Sequence, residues 1–270
     1  MSSFLELLVI YKYSLPATII MATVLALVGA QWTARGKSEQ IFVLGQGISL
    51  GVVLGLIINI LMAKDFHELS LICGFFVGWL TLSLTEFLIQ QRSTRGHVYL
   101  TLFVFFLALT YLLSAITPSL ETHLAAAYFG DIAVMSDFAA KIIMVTGLIM
   151  GALVLKNWRK ISLTSFQIIN HSLIHRSWKN VLFELGTLFL TCLAVQNMGY
   201  LFSMGTLFIG TTFASSRSRD LKSYTQKVIF ISSVGSLIGF STSLLSTNFP
   251  TVPCVLLGQI VVGFLSYMKK

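Results

Sequence analysis

The stretch IFVLGQGISLGVVLGLIINILM (Ile41–Met62) runs through 22 residues without one charged side chain. An α-helix needs about 20 largely apolar residues to cross the hydrocarbon of a bilayer. A buried strand ends after four to eight residues, and a surface helix would show a polar stripe. This segment has neither limit, so it reads as a membrane-spanning helix. Working outward, comparable apolar runs lie near 14–33, 69–90, 98–116, 139–155, 181–198, 200–214, 228–245 and 252–268. Hydrophobic residues make up 56% of the 270-residue chain and charged residues only 10%, against about a quarter charged in a soluble domain. A soluble fold this apolar would lack the polar surface to cover itself. Inside lipid the backbone must satisfy its own hydrogen bonds, which a helix does locally. The expected fold is therefore all-α: a polytopic membrane helix bundle of about nine transmembrane helices. Residues 1–270 form one membrane domain on this reading, with no soluble domain attached.

The charges give the orientation. Arg35 and Lys37 follow the first run, Arg92 and Arg95 the third, Lys156 to Lys179 the fifth, Arg217 to Lys227 the seventh, and Lys269 and Lys270 the last. Fifteen of the 18 lysines and arginines fall on one side of the crossings in this way, leaving Lys12, Lys64 and Lys141 on the other. The positive-inside rule then sets the N-terminus outside and the C-terminus in the cytoplasm of a multi-pass inner-membrane protein. The net charge of +8 is spent on topology. It is not gathered on one face, as nucleic-acid binding would require. Cys73, Cys192 and Cys254 are far apart within apolar runs, matching neither a zinc site nor a disulfide framework. Residues 1–12 lack the basic start of a cleaved signal peptide.

Two connections are longer than turns. The external one, residues 117–138, carries His123, Asp131 and Asp137 and no lysine or arginine; it reads either as an entry site for a cation or as an acidic loop of no special role. The internal one, residues 156–180, is basic. Within it, SFQIINHSLIH (Ser165–His175) sets apolar residues at 166, 169 and 173, a helical spacing. Such a helix lies on the lipid surface or docks a cytoplasmic partner. His171 and His175 are one turn apart but have no third ligand nearby, so they read as surface. Glu86 and Glu184 lie within a turn or two of the cytoplasmic ends of their runs, where a carboxylate reaches headgroups or a basic loop. Small residues crowd the second run at Gly45, Gly47, Ser49, Gly51 and Gly55, which marks it as a central, tightly packed helix.

Several segments in order resemble the zinc/manganese-type permeases of ABC transporters. These are FVLGQGISLG (Phe42–Gly51), YFGDIAVMS (Tyr128–Ser136), GYLFSMGTLFIGTTFA (Gly199–Ala214) and NFPTVP (Asn248–Pro253), with Leu163–His175 in the place of the family's docking helix. The resemblance implies the permease subunit of an importer that carries zinc, manganese or iron into the cytoplasm by ATP-driven alternating access. It implies three kinds of partner: a second permease copy, like or unlike; ABC ATPase subunits; and an external metal-binding protein. ATP would be handled in the ATPase, with no cofactor in this chain. Phe166, Gln167, Ile169, Asn170, His171 and Leu173 would form the ATPase-coupling helix. The family usually sets an aspartate and, four residues on, a histidine in its second core helix; here those positions are Gln46 and Leu50, and a proline usual in the later span is Gly210. Gln46, Glu86, His123 and Asp131 are the remaining candidates for a cation path. The competing class is an ATP-independent secondary transporter or channel. The sequence offers no paired catalytic residues at bilayer depth for an intramembrane enzyme, and no Gly-x-x-x-x-Gly-Lys-Ser/Thr phosphate loop.

Overall fold

The computed structural model describes residues 10–62, 67–91, 95–117, 128, 130, 132, 135–169, 178–215, 218, 220–245 and 249–268. Among them are ten long helices and no strand: α1 (Ser14–Ala34), α2 (Ser38–Met62), α3 (His67–Gln91), α4 (Arg95–Ile116), α5 (Asp137–Lys156), α6 (Trp158–Ile169), α7 (Trp178–Met198), α8 (Tyr200–Ser215), α9 (Leu221–Leu244) and α10 (Thr251–Met268). All nine apolar runs coincide with a helix, so the all-α membrane architecture holds. Eight of these helices are long and apolar enough to cross a bilayer. The ninth, α8, has 16 residues and rises about 24 Å, short of a full crossing at about 30 Å.

Local chemistry sets several ends. The fifth run reaches further than its hydropathy because the Ser136 side chain caps α5 by accepting from the Ala139 amide, with Asp137 in its first turn and Lys156 in its last. Both charges complement the helix dipole. Asp220 caps α9 through the Ser223 amide. Between α7 and α8 the chain turns at Gly199, whose φ of 87° is left-handed and suits glycine.

The helices sort into two compact units. One comprises residues 1–36, 131–174 and 201–270, the other residues 37–130 and 175–200. In the first, α1 packs against α5, α6 and α9, and α9 pairs with α10. The α9–α10 pair meets glycine to glycine: a Cβ on Gly258 would lie 2.8 Å from the Gly239 nitrogen, and one on Gly235 at 2.8 Å from the Gln259 nitrogen. Beside this contact Gln259 Nε2 donates to Ser236 Oγ at 2.8 Å. A Cβ on Gly210, where the resembled family has proline, would lie 2.6 Å from Ser232 Oγ and 3.6 Å from Ala26 Cβ.

In the second unit α2 is the central helix, packing against α3, α4 and α7. Gly47, Gly51 and Gly55, each four residues apart, all face α3: their Cβ atoms would strike Thr81, the Cys73 carbonyl and Ser70 Cα. In lipid, where both helices are equally apolar, this closeness of backbones supplies the packing that joins them. Position 51 has no slack, since its Cβ would stand 2.5 Å from Cys73 O and 2.7 Å from Gly74 Cα. Gly51→Leu is expected to cost at least about 3 kcal/mol and to abolish a monodisperse peak in detergent chromatography. Gly96→Ala, with no atom nearer than 3.7 Å to the new methyl, should leave that peak intact.

Candidate functional site

The face of α2 that carries Gln46 looks onto Tyr128, in the connection over residues 117–138. Gln46 is 1% exposed, and its Oε1 accepts a hydrogen bond from the Tyr128 hydroxyl at 2.9 Å. The Tyr128 ring stands 6.2 Å from Tyr111 and 5.7 Å from Tyr200 between centroids. Two glycines bring this connection in. Gly130 has φ 69°, and any side chain on it would run into the Met198 carbonyl. The turn before Tyr200 and the strap that carries Tyr128 therefore touch backbone to backbone. Burial raises the Tyr128 hydroxyl above the usual phenol range, more than its bond with Gln46 and the nearby hydroxyls of Thr110 and Ser49 lower it. At neutral pH it is a fixed donor.

Among the described residues this chamber is neutral: an amide, three phenols and two aliphatic hydroxyls. Leu50, one turn along α2, is 3% exposed in an apolar cluster with Val43, Val98, Tyr99, Leu102 and Phe106. Neither position offers a dehydrated cation a charge, and the described residues contain no group of three or more histidine, cysteine, aspartate or glutamate side chains placed to hold a metal. Hard divalent ions take their ligands chiefly from carboxylates, carbonyls and water. His123 and Asp131 lie outside the described residues.

The other candidate, Glu86, belongs to an ionic cluster at the opposite end of α2. Lys37 Nζ is 3.4 Å from Glu86 Oε1 and 3.6 Å from Glu184 Oε1, so one ammonium joins α3 to α7 just before α2 begins. A turn deeper, Gln40 Nε2 donates to Thr85 Oγ1 at 2.9 Å. Carboxylates are costly within hydrocarbon unless paired, and here Glu86 and Glu184 share a lysine. The sequence placed both glutamates near a basic region but did not single out Lys37.

In the other unit, the internal connection forms α6. It begins at Trp158, seven residues before the stretch whose apolar spacing suggested a helix. Of the named coupling residues, Phe166, Gln167 and Ile169 lie on it, while Asn170, His171 and Leu173 lie outside the described residues. The early start has a physical cause. Trp158 is buried, and Ser162 and Ser165 face the end of α1. Gln31 Nε2 donates to Ser162 Oγ at 2.9 Å, Ser165 Oγ donates to Gln31 Oε1 at 3.0 Å, and Arg35 Nε donates to Ser165 Oγ at 3.1 Å. Gln31 and Arg35 are only 2% and 4% exposed. Their spacing of four at the end of a span was the signal available in the sequence. Beside this pinned face, Leu163, Phe166 and Ile169 form an outward apolar ridge, 58%, 65% and 46% exposed.

A family model described as the ABC 3 transport family matches residues 10–270. No curated protein sequence matches the chain. Among solved structures, the chain is similar to PsaBC from Streptococcus pneumoniae, solved in complex with a Fab, with 19% identity over 99% of this chain and 95% of that one and a TM-score of 0.79. It is also similar to an inward-facing metal-chelate-type ABC transporter, with 16% identity over 95% of this chain and 86% of that one and a TM-score of 0.70. At these identities the likeness is one of fold.

Tyr128→Phe leaves the buried Gln46 oxygen without its donor and is expected to cost about 1–3 kcal/mol. Gln46→Leu combined with Tyr128→Phe should recover part of that loss, a coupling of at least about 0.5 kcal/mol in thermal unfolding. The pH dependence has a definite sign. The folded-state value is raised, so this stabilisation is complete below about pH 10 and falls as pH rises through the folded value. The Phe variant should lack that alkaline decline.

Proposed function

We propose that this chain, which belongs to the ABC 3 transport family, is the membrane-spanning permease subunit of an importer that moves a divalent metal ion into the cytoplasm, driven by separate ATPase subunits. The single observation that carries the reading is α6. It is an amphipathic helix whose polar face is tied by Gln31 and Arg35 to the end of a spanning helix, while an apolar ridge is left outward. A helix that merely floats on lipid has no need of three polar ties to a span. A helix that transmits force does, because a partner seated on Leu163, Phe166 and Ile169 then moves α1 along with α6. With the N-terminus outside, the basic charge after the fifth run sets α6 in the cytoplasm, where an ATPase is found. ATP binding would bias one arrangement of the permease by contacting it better than the other, which is all that alternating access requires.

The chemistry of Gln46 and Leu50 qualifies the substrate half of the reading. Since the described residues on this chain's α2 are neutral where the resembled family sets aspartate and histidine, charged ligands for the ion come from elsewhere in the assembly. An unlike second permease is the simplest supplier, with an external binding protein delivering the ion.

Purification of the tagged chain from native membranes tests this. An ATPase subunit should come with it, and Phe166→Asp with Leu163→Asp should remove that subunit while the permease remains folded on its α1 ties. Arg35→Gln should keep the ATPase bound yet lower metal uptake per ATP hydrolysed by about tenfold, since one charge-assisted tie of about 1.5–3 kcal/mol is weakened. A chain that purifies alone and carries solute in proteoliposomes without ATP would replace this reading with that of a secondary transporter.

A further inference from the structure

Between α2 and α4 runs an open groove of about 380 Å³ that the transport reading does not use. Gly96, Leu100 and Phe103 line one side at the i, i+4, i+7 spacing of a helix face; Phe42 forms the other side, and Tyr99 the floor. Phe42 and Leu100 are exposed, and Tyr99 is buried. One end is polar. Glu39 stands there beside Gly96, and a Cβ on that glycine would find the Glu39 carboxylate oxygen as its nearest neighbour, at 3.7 Å. Because position 96 has no side chain, the groove stays open up to the acid.

An acid in the first turn of α2 is favourable to the helix dipole wherever it points. That accounts for its charge but not for its position at the head of an apolar channel. Lys37, two residues away, is engaged with Glu86 and Glu184. The groove therefore combines a wall fit for hydrocarbon with an acid at its head, at the end of a spanning helix. A bare ion does not need the wall, and a plain acyl chain does not need the acid.

We infer that this groove binds an amine-bearing phospholipid. Its primary ammonium pairs with Glu39, and one acyl chain lies along Phe42, Leu100 and Phe103. A primary ammonium donates up to three hydrogen bonds to a carboxylate, whereas a trimethylated one donates none and a glycerol headgroup carries no positive charge. Phosphatidylethanolamine should therefore be preferred over phosphatidylcholine and phosphatidylglycerol.

The test is native mass spectrometry of the purified full chain after exchange into an equimolar mixture of these three lipids. One phosphatidylethanolamine per chain should be retained at about fivefold or more over either competitor, in keeping with a charge-assisted hydrogen bond. Glu39→Gln should bring the three lipids to parity, and Gly96→Leu, which fills the groove beside the acid, should reduce retention of all three at that site. Unfolding temperatures equal to wild type in Glu39→Gln and Gly96→Leu keep the comparison free of misfolding. Equal retention of the three lipids by the wild-type chain would overturn the inference, as would an undiminished preference in Glu39→Gln. Efficient disulfide dimers of Leu100→Cys in intact membranes would overturn it too, since they would show that a second copy covers the groove.

Discussion

Hydrocarbon offers a backbone no hydrogen-bond partner, and the architecture follows from that constraint. It makes every span helical, and it removes the usual reason for helices to associate, because lipid tails are as apolar as leucine. What remains is close contact, which glycine permits. The Gly47, Gly51 and Gly55 face of α2 against α3, and the Gly235, Gly239 and Gly258 contact of α9 with α10, are the two places where this is clearest. Each lies within one of the two compact units, so each unit has its own glycine-built seam.

Several buried polar side chains answer one another. Gln259 and Ser236 bond to each other beside a glycine seam, and Gln40 and Thr85 do so near the end of α2. The ionic cluster of Lys37, Glu86 and Glu184 lies at helix ends, where water and headgroups lower the cost of charge. The uncharged chamber around Gln46 lies on a helix that is buried for most of its length. Charge is kept to the ends and neutral hydrogen bonds to the interior, the order that the energetics of the bilayer favours.

The spans and their order were legible because hydropathy is a local property: Ile41–Met62 needs no partner to be recognised as a helix. The contacts that build the site were not, because they join residues far apart in sequence. Tyr128 and Gln46 are separated by 82 residues, and Arg35 and Ser165 by 130. The start of α6 was misjudged for the same reason. Apolar spacing marked Phe166 onward, but the helix is held by serines answering Gln31 and Arg35, and serine carries no hydropathy signal. The resemblance to metal permeases could be read from order and spacing across the chain, while its exceptions, Gln46 and Leu50, were visible only as departures. What fills their place, a tyrosine from the external connection, depended on two left-handed turns at Gly130 and Gly199 that bring distant backbone together.

The departure at Gln46 also has a structural logic of its own. An aspartate in that position, under a phenol donor and 1% exposed, would be a buried charge with one hydrogen bond and an apolar neighbour at Leu50. Unless a cation were bound, such a group would be held at a cost of several kcal/mol. Glutamine meets the same Tyr128 hydroxyl without charge, and so this face is stable whether or not a cation is present. The chain has thus exchanged a site that is complete only when loaded for one that is complete when empty. On the function proposed above, that exchange would suit a subunit that carries motion from α6 into the spans while other members of the assembly meet the ion's charge.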